Sequence, residues 1–210
     1  TSSLRAYKLG SGGQVLEQRS LASGIMHLPS EPRLIAGVHS SNGFELAFDA
    51  ACGDWLDAQP DLPVIACGMV GSAQGWSEAA YRNTPVDVSS LGQALHKVRS
   101  LRGVDVHIVP GVIEQVGLPN VMRGEETQVL GVLQNLPASG ELLIGLPGSH
   151  SKWVEVVDGC ITHFDTFMTG ELFAVLSKHS ILGRTQKIAG QFQADAFDRG
   201  VRVALSQDGQ

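Results

Sequence analysis

Residues 148–152 read Gly-Ser-His-Ser-Lys and directly follow the apolar segment ELLIGLP at 141–147. This short stretch places two hydroxyls, an imidazole and an ammonium around a glycine at the exit of a predicted strand. Hydroxyl and backbone N–H groups at a tight turn form a concave set of donors for phosphate oxygens, and a lysine adds a point charge. The alternative interpretation is a serine-rich turn with a solvated lysine. The phosphate-binding interpretation assigns contacts to Gly148, Ser149, His150, Ser151 and Lys152.

Other catalytic motifs are absent from the sequence. A P-loop needs G-x-x-x-x-G-K-[ST] and a nucleophile elbow needs G-x-S-x-G, and neither occurs in the 210 residues. The 7 histidines are scattered without an H-x-x-x-H or H-E-x-x-H pair, and the 3 cysteines are widely spaced. We therefore expect no metal site built from protein side chains and no cysteine catalysis. The cysteines are expected to be buried free thiols in a reducing cytoplasm.

Composition limits the classes of partner. The formal net charge is −6 and the pI is about 5.6, so no basic excess favours nucleic acid or an anionic membrane. No apolar run approaches the roughly 20 residues that a membrane helix needs. Hydrophobic content of 43% and charged content of 17% are typical of a soluble globular protein. We expect a cytoplasmic protein with small-molecule partners, and a homodimer is one open assembly.

Hydrophobic periodicity predicts an α/β fold. Predicted strands lie at 4–9, 14–20, 63–71, 104–112, 141–146, 151–157 and 160–166. Predicted helices lie at 43–57, 89–100, 123–135, 170–182 and 193–207. Pro137 to Gly140 form a plausible internal boundary, which predicts one domain at 1–137 and a second at 138–210.

The order of these elements indicates two similar halves. The second half begins with three strands and a helix, and the first half begins the same way with its first strand missing. The segments SSLRAYKLGSGGQVL and HSKWVEVVDGCITHF share a pattern of hydroxyl cluster, strand, glycine turn and strand. We expect each half to offer the turn of its first hairpin to a shared cleft, where helix N-termini would add further donors for phosphate.

Four separated blocks resemble the 2-dehydro-3-deoxygalactonokinase family. They are GMVGSAQGWSEAAY at 68–81, VMRGEETQVLG at 121–131, LPGSHSKWV at 146–154 and FDTFMTGELFAVLSKHSILG at 164–183. The resemblance implies the actin-like ATPase fold, in which two ribonuclease-H-like domains of βββαβαβα type enclose ATP and substrate. It also implies that the γ-phosphoryl of ATP is transferred, with Mg²⁺, to the 6-hydroxyl of 2-dehydro-3-deoxy-D-galactonate.

This chain departs from the family pattern at both ends. The family pattern has a strand ending in Asp-Trp-Gly ahead of the position of Thr1, and its aspartate is expected to organise Mg²⁺ and the phosphates. The pattern also continues beyond residue 210. We therefore expect that the first strand and the C-terminal part lie outside this sequence, and that these 210 residues alone are a poor kinase.

The resemblance also implies roles for individual residues. Glu125 and Glu126 open the helix of the second block and are the candidates for the base or for the organiser of a water or metal ion, without a ranking between them. The alternative is that these acids only complement the helix dipole. Asn120 stands where the family pattern leads us to expect an aspartate, and such an aspartate could itself be the base.

The substrate and phosphate pockets follow from the same blocks. Arg123 is the candidate for the substrate carboxylate, because its guanidinium can bind two oxygens at once. The candidates for the sugar hydroxyls and ring are Ser72, Gln74 and Trp76, although Trp76 could equally belong to the core. The remaining candidate phosphate contacts are Thr1, Ser2, Ser3 and Thr169, and Thr169 could instead be a helix N-cap.

Two other functions stay open at this stage. The Gly-Glu-Glu block is similar to that of the related exopolyphosphatases, which would make the protein a phosphohydrolase. The missing aspartate also allows a non-catalytic module that binds nucleotide or sugar. The block at 68–81, which suits a small polyhydroxylated acid, favours the kinase.

Overall fold

The element order in this computed structural model confirms the α/β class. The structure describes residues 3–136, 139–184 and 192–206. Contacts divide the chain into two units, Thr1–Phe167 and Met168–Gln210. The predicted domain boundary falls on 137 and 138, outside the described residues, and stays a prediction.

The first unit begins with the predicted hairpin, followed by a second hairpin that the sequence patterns did not reveal. Strands β1 (Leu4–Leu9) and β2 (Val15–Leu21) pair antiparallel, and so do the short strands β3 (Arg33–Ile35) and β4 (Val38–Ser40). Three-residue strands carry too little alternation to be read from sequence.

Helix α1 (Gly43–Ala58) is tied by ion pairs to the segments around it. The Asn42 side chain caps its N-terminus by accepting from Phe44 and Glu45. The Arg19 guanidinium makes two hydrogen bonds with the Asp54 carboxylate, at 2.6 and 2.8 Å, and thereby attaches the first hairpin.

A three-stranded sheet lies beside α1. Strand β5 (Val64–Ala66) runs parallel to β9 (Asp105–Ile108), and β8 (His96–Arg99) pairs antiparallel with β9. The predicted helix at 89–100 is wrong, because residues 88–93 form a 3-10 helix and 96–99 form strand β8. Burial alternates along β8, and pairing with β9 outweighs the weak helical pattern.

Two further sheets complete the first unit. One contains β6 (Arg82–Asn83), β10 (Val112–Glu114) and β11 (Asn120–Met122) in the order β11-β10-β6. The other contains β7 (Val86–Asp87), β12 (Glu141–Leu146), β13 (Ser151–Val157) and β14 (Cys160–Phe167) in the order β12-β13-β14-β7. The prediction of one strand at 104–112 is wrong, because β9 ends at Ile108 and β10 begins at Val112.

Helix α2 (Glu125–Leu133) packs with these two sheets around a common core. Its Val129 side chain is buried against residues of both sheets. The largest fully buried apolar members of this core are Phe164, Leu91, Met122 and Ile161. This core fixes where β11, α2 and the β12–β14 meander place their polar ends.

The second unit contains α3 (Thr169–His179), α4 (Ile181–Arg184) and α5 (Ala194–Leu205). The helices predicted at 170–182 and 193–207 are confirmed in place, although the first ends at His179. None of the helices in the described ranges is both long and apolar enough to cross a bilayer. All three cysteines are free thiols, as predicted, but none is fully buried: Cys52 and Cys160 are half-buried and Cys67 is exposed.

Candidate active site

The predicted phosphate turn lies between β12 and β13, where the antiparallel pair closes. Gly148, Ser149 and His150 are exposed, whereas Ser151 and Lys152 are buried. The Gly148 N–H donates to the Ser151 hydroxyl oxygen at 3.3 Å. The turn therefore presents its first three residues to solvent and its last two to the protein interior.

Lys152 reaches from this turn to the segment ahead of α2. Its ammonium donates to the carbonyl oxygen of Val121 at 2.7 Å and to the Thr166 hydroxyl at 2.6 Å. The residue is only 4% exposed, and burial lowers the pKa of the ammonium while the nearby Glu125 charge opposes this shift. Among the described carboxylates, none lies within ion-pair distance of Lys152. A buried cation without a counter-ion is costly unless an anionic ligand completes its surroundings.

Both ends of the amide of the half-buried Asn120 are hydrogen-bonded. Its Nδ2 donates to the carbonyl oxygen of Phe164 at 2.6 Å, and its Oδ1 accepts from the Thr166 hydroxyl at 2.7 Å. An aspartate in this position could not donate to Phe164 when ionised. The amide therefore has a structural use that an ionised aspartate could not replace.

The two glutamates at the start of α2 lie in different surroundings. Glu126 is fully buried, and its carboxylate accepts from the Gly124 N–H at 2.6 Å and from the Thr127 hydroxyl at 3.2 Å. Burial raises the pKa of Glu126, and these hydrogen bonds oppose the increase. Glu125 is half-buried and accepts from the Arg123 N–H at 3.0 Å. Of these two glutamates, only Glu125 is therefore partly exposed to solvent.

Glycine is required where the turn before α2 meets the loop after β5. Gly124 has φ of 111°, in the region that favours glycine, and a Cβ there would lie 3.1 Å from the Cα of Gly68. The blocks at 68–81 and 121–131, which the sequence separates by forty residues or more, therefore meet backbone to backbone.

Arg123 belongs to the second block and contacts the first, and its guanidinium is incompletely bonded. Nη2 donates to the Ala79 carbonyl at 2.8 Å, Nε donates to the Tyr81 hydroxyl at 3.3 Å, and the guanidinium stacks 4.1 Å from the Tyr81 ring centroid. Arg123 is 9% exposed, and its buried Nη1 has no hydrogen-bond partner in the described part of the chain. A Cβ on Gly71 would lie 3.1 Å from Nη1, so glycine at this position allows the close approach of the guanidinium to the loop.

The other predicted substrate contacts lie in the block that contains Gly71. Ser72 is buried and donates to the Met69 carbonyl at 2.8 Å, and Gln74 is exposed. The Trp76 ring stacks with Phe44, with centroids 6.5 Å apart, and is tilted against Phe48 at 5.5 Å. Trp76 thus packs against α1, and the roles of all three residues in substrate binding stay predictions.

The roles of the remaining predicted phosphate contacts stay predictions. Thr1 and Ser2 lie outside the described residues, and Ser3 is exposed just before β1. Thr169 is exposed in the second unit as the first residue of α3. Met168, rather than Thr169, occupies the N-cap position, so the predicted N-cap role of Thr169 is wrong.

Sequence analysis did not identify Tyr81 and Thr166 as residues of the site, and it considered Asn120 only as the position of an expected aspartate. Tyr81 supports Arg123, Thr166 bonds Lys152, and Asn120 bonds Thr166. The inward alternation of Phe164 and Thr166 along β14 is the signal that could have indicated Thr166. Asn120 and Tyr81 give no such signal, since their partners lie on distant segments.

Comparisons with known proteins agree on one family. A model of the 2-keto-3-deoxy-galactonokinase family matches residues 1–210. The Rhizobium meliloti (strain 1021) protein named "Probable 2-dehydro-3-deoxygalactonokinase DgoK1" is 38% identical over 197 residues, which cover 92% of this chain and 59% of that protein. The Escherichia coli (strain K12) protein named 2-dehydro-3-deoxygalactonokinase is 35% identical over 213 residues, which cover 98% of this chain and 63% of that protein.

A solved structure gives the same result. The crystal structure of a Sinorhizobium meliloti protein, provisionally named a 2-dehydro-3-deoxygalactonokinase, matches with a TM-score of 0.76 and 34% identity. The match covers 96% of this chain and 65% of that one. The chain thus spans about three fifths of the length of its curated relatives. It belongs to the 2-keto-3-deoxy-galactonokinase family.

Proposed function

We propose that the protein is a kinase that transfers the γ-phosphoryl of ATP to the 6-hydroxyl of 2-dehydro-3-deoxy-D-galactonate, in galactonate breakdown. The observation that carries this proposal is the contact between Lys152 and Val121, because it brings the predicted phosphate turn to the segment with Arg123 and Glu125. Family membership supports the kinase over an exopolyphosphatase or a non-catalytic module.

The phosphate side of the proposed site is the turn at 148–152. The exposed Gly148, Ser149 and His150 would contact phosphate oxygens, while the nearby Lys152 supplies positive charge from the interior. Phosphoryl transfer depends mainly on positioning and on neutralising the charge of the phosphoryl oxygens. The donors of the turn and the buried ammonium fit that requirement.

Mg²⁺ is part of the proposal through ATP. No group of three or more His, Cys, Asp and Glu side chains in the described ranges could hold a metal ion by itself. Mg²⁺ is commonly bound by one or two carboxylates, water and the substrate phosphates, where it neutralises phosphate charge. The half-buried Glu125 is the carboxylate of the described site that could contact such an ion or its water.

The substrate side of the proposed site is Arg123. Its guanidinium is buried, stacked and lacks a described counter-ion, and its Nη1 lacks a partner. The carboxylate of a sugar acid would supply both the missing charge and the missing acceptor. Ser72 and Gln74, on the adjoining loop, are the proposed contacts for sugar hydroxyls.

Glu125 is the proposed base. A general base must come within hydrogen-bond reach of the proton that it accepts. Glu125 is partly exposed, whereas Glu126 is fully buried, with one oxygen bonded to Gly124 in the turn before α2 and the other to Thr127 in α2. We therefore assign proton acceptance to Glu125 and orientation of the turn to Glu126.

The wider proposals concern the fold, the location and the assembly. The family resemblance implies the actin-like arrangement of two ribonuclease-H-like domains, the location is the cytoplasm, and a homodimer is one open assembly. The formal net charge of −6 argues against a nucleic acid as partner.

A coupled assay on the whole protein tests the proposed function. The expected result is ADP release that requires 2-dehydro-3-deoxygalactonate and Mg²⁺, with phosphate on O6 of the product. The same assay with polyphosphate and no acceptor tests the exopolyphosphatase alternative. ATP turnover that is independent of any sugar acid, or polyphosphate cleavage, would contradict the proposal.

A further inference from the structure

Three polar side chains join two sheets near the proposed site. Strand β11 belongs to the β11-β10-β6 sheet, whereas β13 and β14 belong to the β12-β13-β14-β7 sheet. In the described ranges no backbone ladder joins β11 to β13 or β14. The side chains of Asn120, Lys152 and Thr166 make the connection instead.

Each hydrogen bond among these three side chains has one possible donor and one possible acceptor. The Thr166 hydroxyl has one proton, which it donates to Asn120 Oδ1 at 2.7 Å, so it accepts from the Lys152 ammonium at 2.6 Å. Asn120 Nδ2 then donates to the Phe164 carbonyl, and Lys152 donates a second time to the Val121 carbonyl. The connection therefore needs a hydroxyl at 166, an amide at 120 and a lysine that donates two hydrogen bonds.

This connection joins the two halves of the proposed site. Lys152 is the last residue of the phosphate turn at 148–152, and Val121 precedes Arg123 by two residues. Hydrogen bonds from an ammonium in a buried environment are stronger than those between neutral groups. The position of the turn is thus coupled through the Lys152 ammonium to the segment with Arg123 and Glu125.

We infer that Asn120 and Thr166 are positioning residues for phosphoryl transfer, because they hold Lys152 on Val121 and so align Glu125 with the phosphate turn. This inference rests on the proposed function. Both residues act through Lys152 rather than on the reacting atoms. Loss of their hydrogen bonds should therefore affect turnover more than substrate binding.

The decisive variant is Thr166→Val in the whole protein, because valine keeps the shape and removes the hydroxyl. We expect kcat to fall by about 10- to 100-fold, the scale of a small misplacement of reacting groups. The KM values for ATP and for the sugar acid should stay within about twofold, as expected when mainly the transition state is affected. Thr166→Ser, which keeps the hydroxyl, should restore most of kcat. If Thr166→Val does not fold, Thr166→Ala gives the same comparison with serine.

A second measurement does not depend on kinase activity. Amide hydrogen exchange at 121–125, without ligands, should be faster in Thr166→Val than in the wild type and close to normal in Thr166→Ser. Wild-type kcat together with unchanged exchange in Thr166→Val would overturn the positioning role, and so would a loss of kcat that serine does not restore. Absence of phosphorylation by the wild type would instead overturn the proposed function, whatever the exchange result.

Discussion

The Nζ atom of Lys152 lies 2.7 Å from the carbonyl oxygen of Val121. This hydrogen bond joins residues 31 positions apart and connects strand β13 to strand β11. It also places a buried ammonium beside the segment that leads into α2. This hydrogen bond makes neighbours of the phosphate turn and the Arg-Gly-Glu-Glu turn, the two blocks with predicted chemistry.

The two glutamates at the start of α2 should differ in their effect on turnover. We expect Glu125→Gln to lower kcat by about 10²- to 10⁴-fold, because an amide cannot accept the proton of the substrate hydroxyl. Glu126→Gln should retain far more activity, since an amide oxygen can still accept from the Gly124 N–H. Steady-state kinetics of both variants, with thermal unfolding as the control for folding, checks this. Normal turnover in Glu125→Gln would remove it as the base.

Removal of the Arg123 fork should weaken binding of the sugar acid and leave ATP binding unchanged. Arg123→Lys keeps the charge but loses the planar donor pair, and the lost hydrogen bonds to a carboxylate are worth about 1.5–3 kcal/mol each. We expect the KM for the sugar acid to rise by about 10-fold or more and the KM for ATP to stay near its normal value.

A neutral substrate analogue provides the control for this prediction. An analogue with a carboxamide in place of the carboxylate should be a poor substrate of the wild type. Arg123→Lys should lower the phosphorylation of this analogue much less than it lowers the phosphorylation of the acid. An equal loss for the acid and the amide would show that Arg123 supports the fold, through Ala79 and Tyr81, rather than the carboxylate.

Asn120→Asp should destabilise the protein near neutral pH. The ionised carboxylate would lose the donor to Phe164 and would place an oxygen against that carbonyl, where Asn120 Nδ2 now lies at 2.6 Å. Loss of one buried partner costs about 1–3 kcal/mol. Urea unfolding measures this, and the exposed Asn83→Asp is the matched control. The destabilisation should become smaller in acid, because a protonated aspartate can donate again.

The stability that His163 contributes to the folded protein should decrease as pH rises above the ordinary pKa of histidine. A hydrogen bond to Glu114 at 2.8 Å is the main cause that raises the pKa of His163 above 6.5, and Asp165 and Glu155 act in the same direction. The contribution is therefore complete below 6.5 and is lost as pH rises through the folded-state pKa.

The His163 prediction can be measured by thermal unfolding at several pH values. The wild type should lose stability over this range, and His163→Gln should have a flatter profile. His39→Gln provides a control, because His39 is exposed on β4, away from the Glu114 pair. An identical pH profile in the wild type and His163→Gln would contradict the assignment.

Sequence patterns predicted the elements that carry strong local signals. The hairpin at 4–21 and the meander β12–β14 combine alternation with glycine turns, and α1 has a clear helical periodicity. All were predicted to within one or two residues. The segment at 89–100 was predicted wrongly because its strand is stabilised by pairing with β9, a partner that local periodicity cannot reveal.

The sequence by itself determined the α/β class, the family and the chemical character of the two turns, because side-chain type and local spacing suffice for these. Only the tertiary structure decided which groups are accessible and what they contact. Glu125 and Glu126 are adjacent and chemically identical, yet one is half-buried and the other is sealed in. Burial and long-range hydrogen bonds arise when the sheets pack, and this packing separates an accessible acid from a structural one.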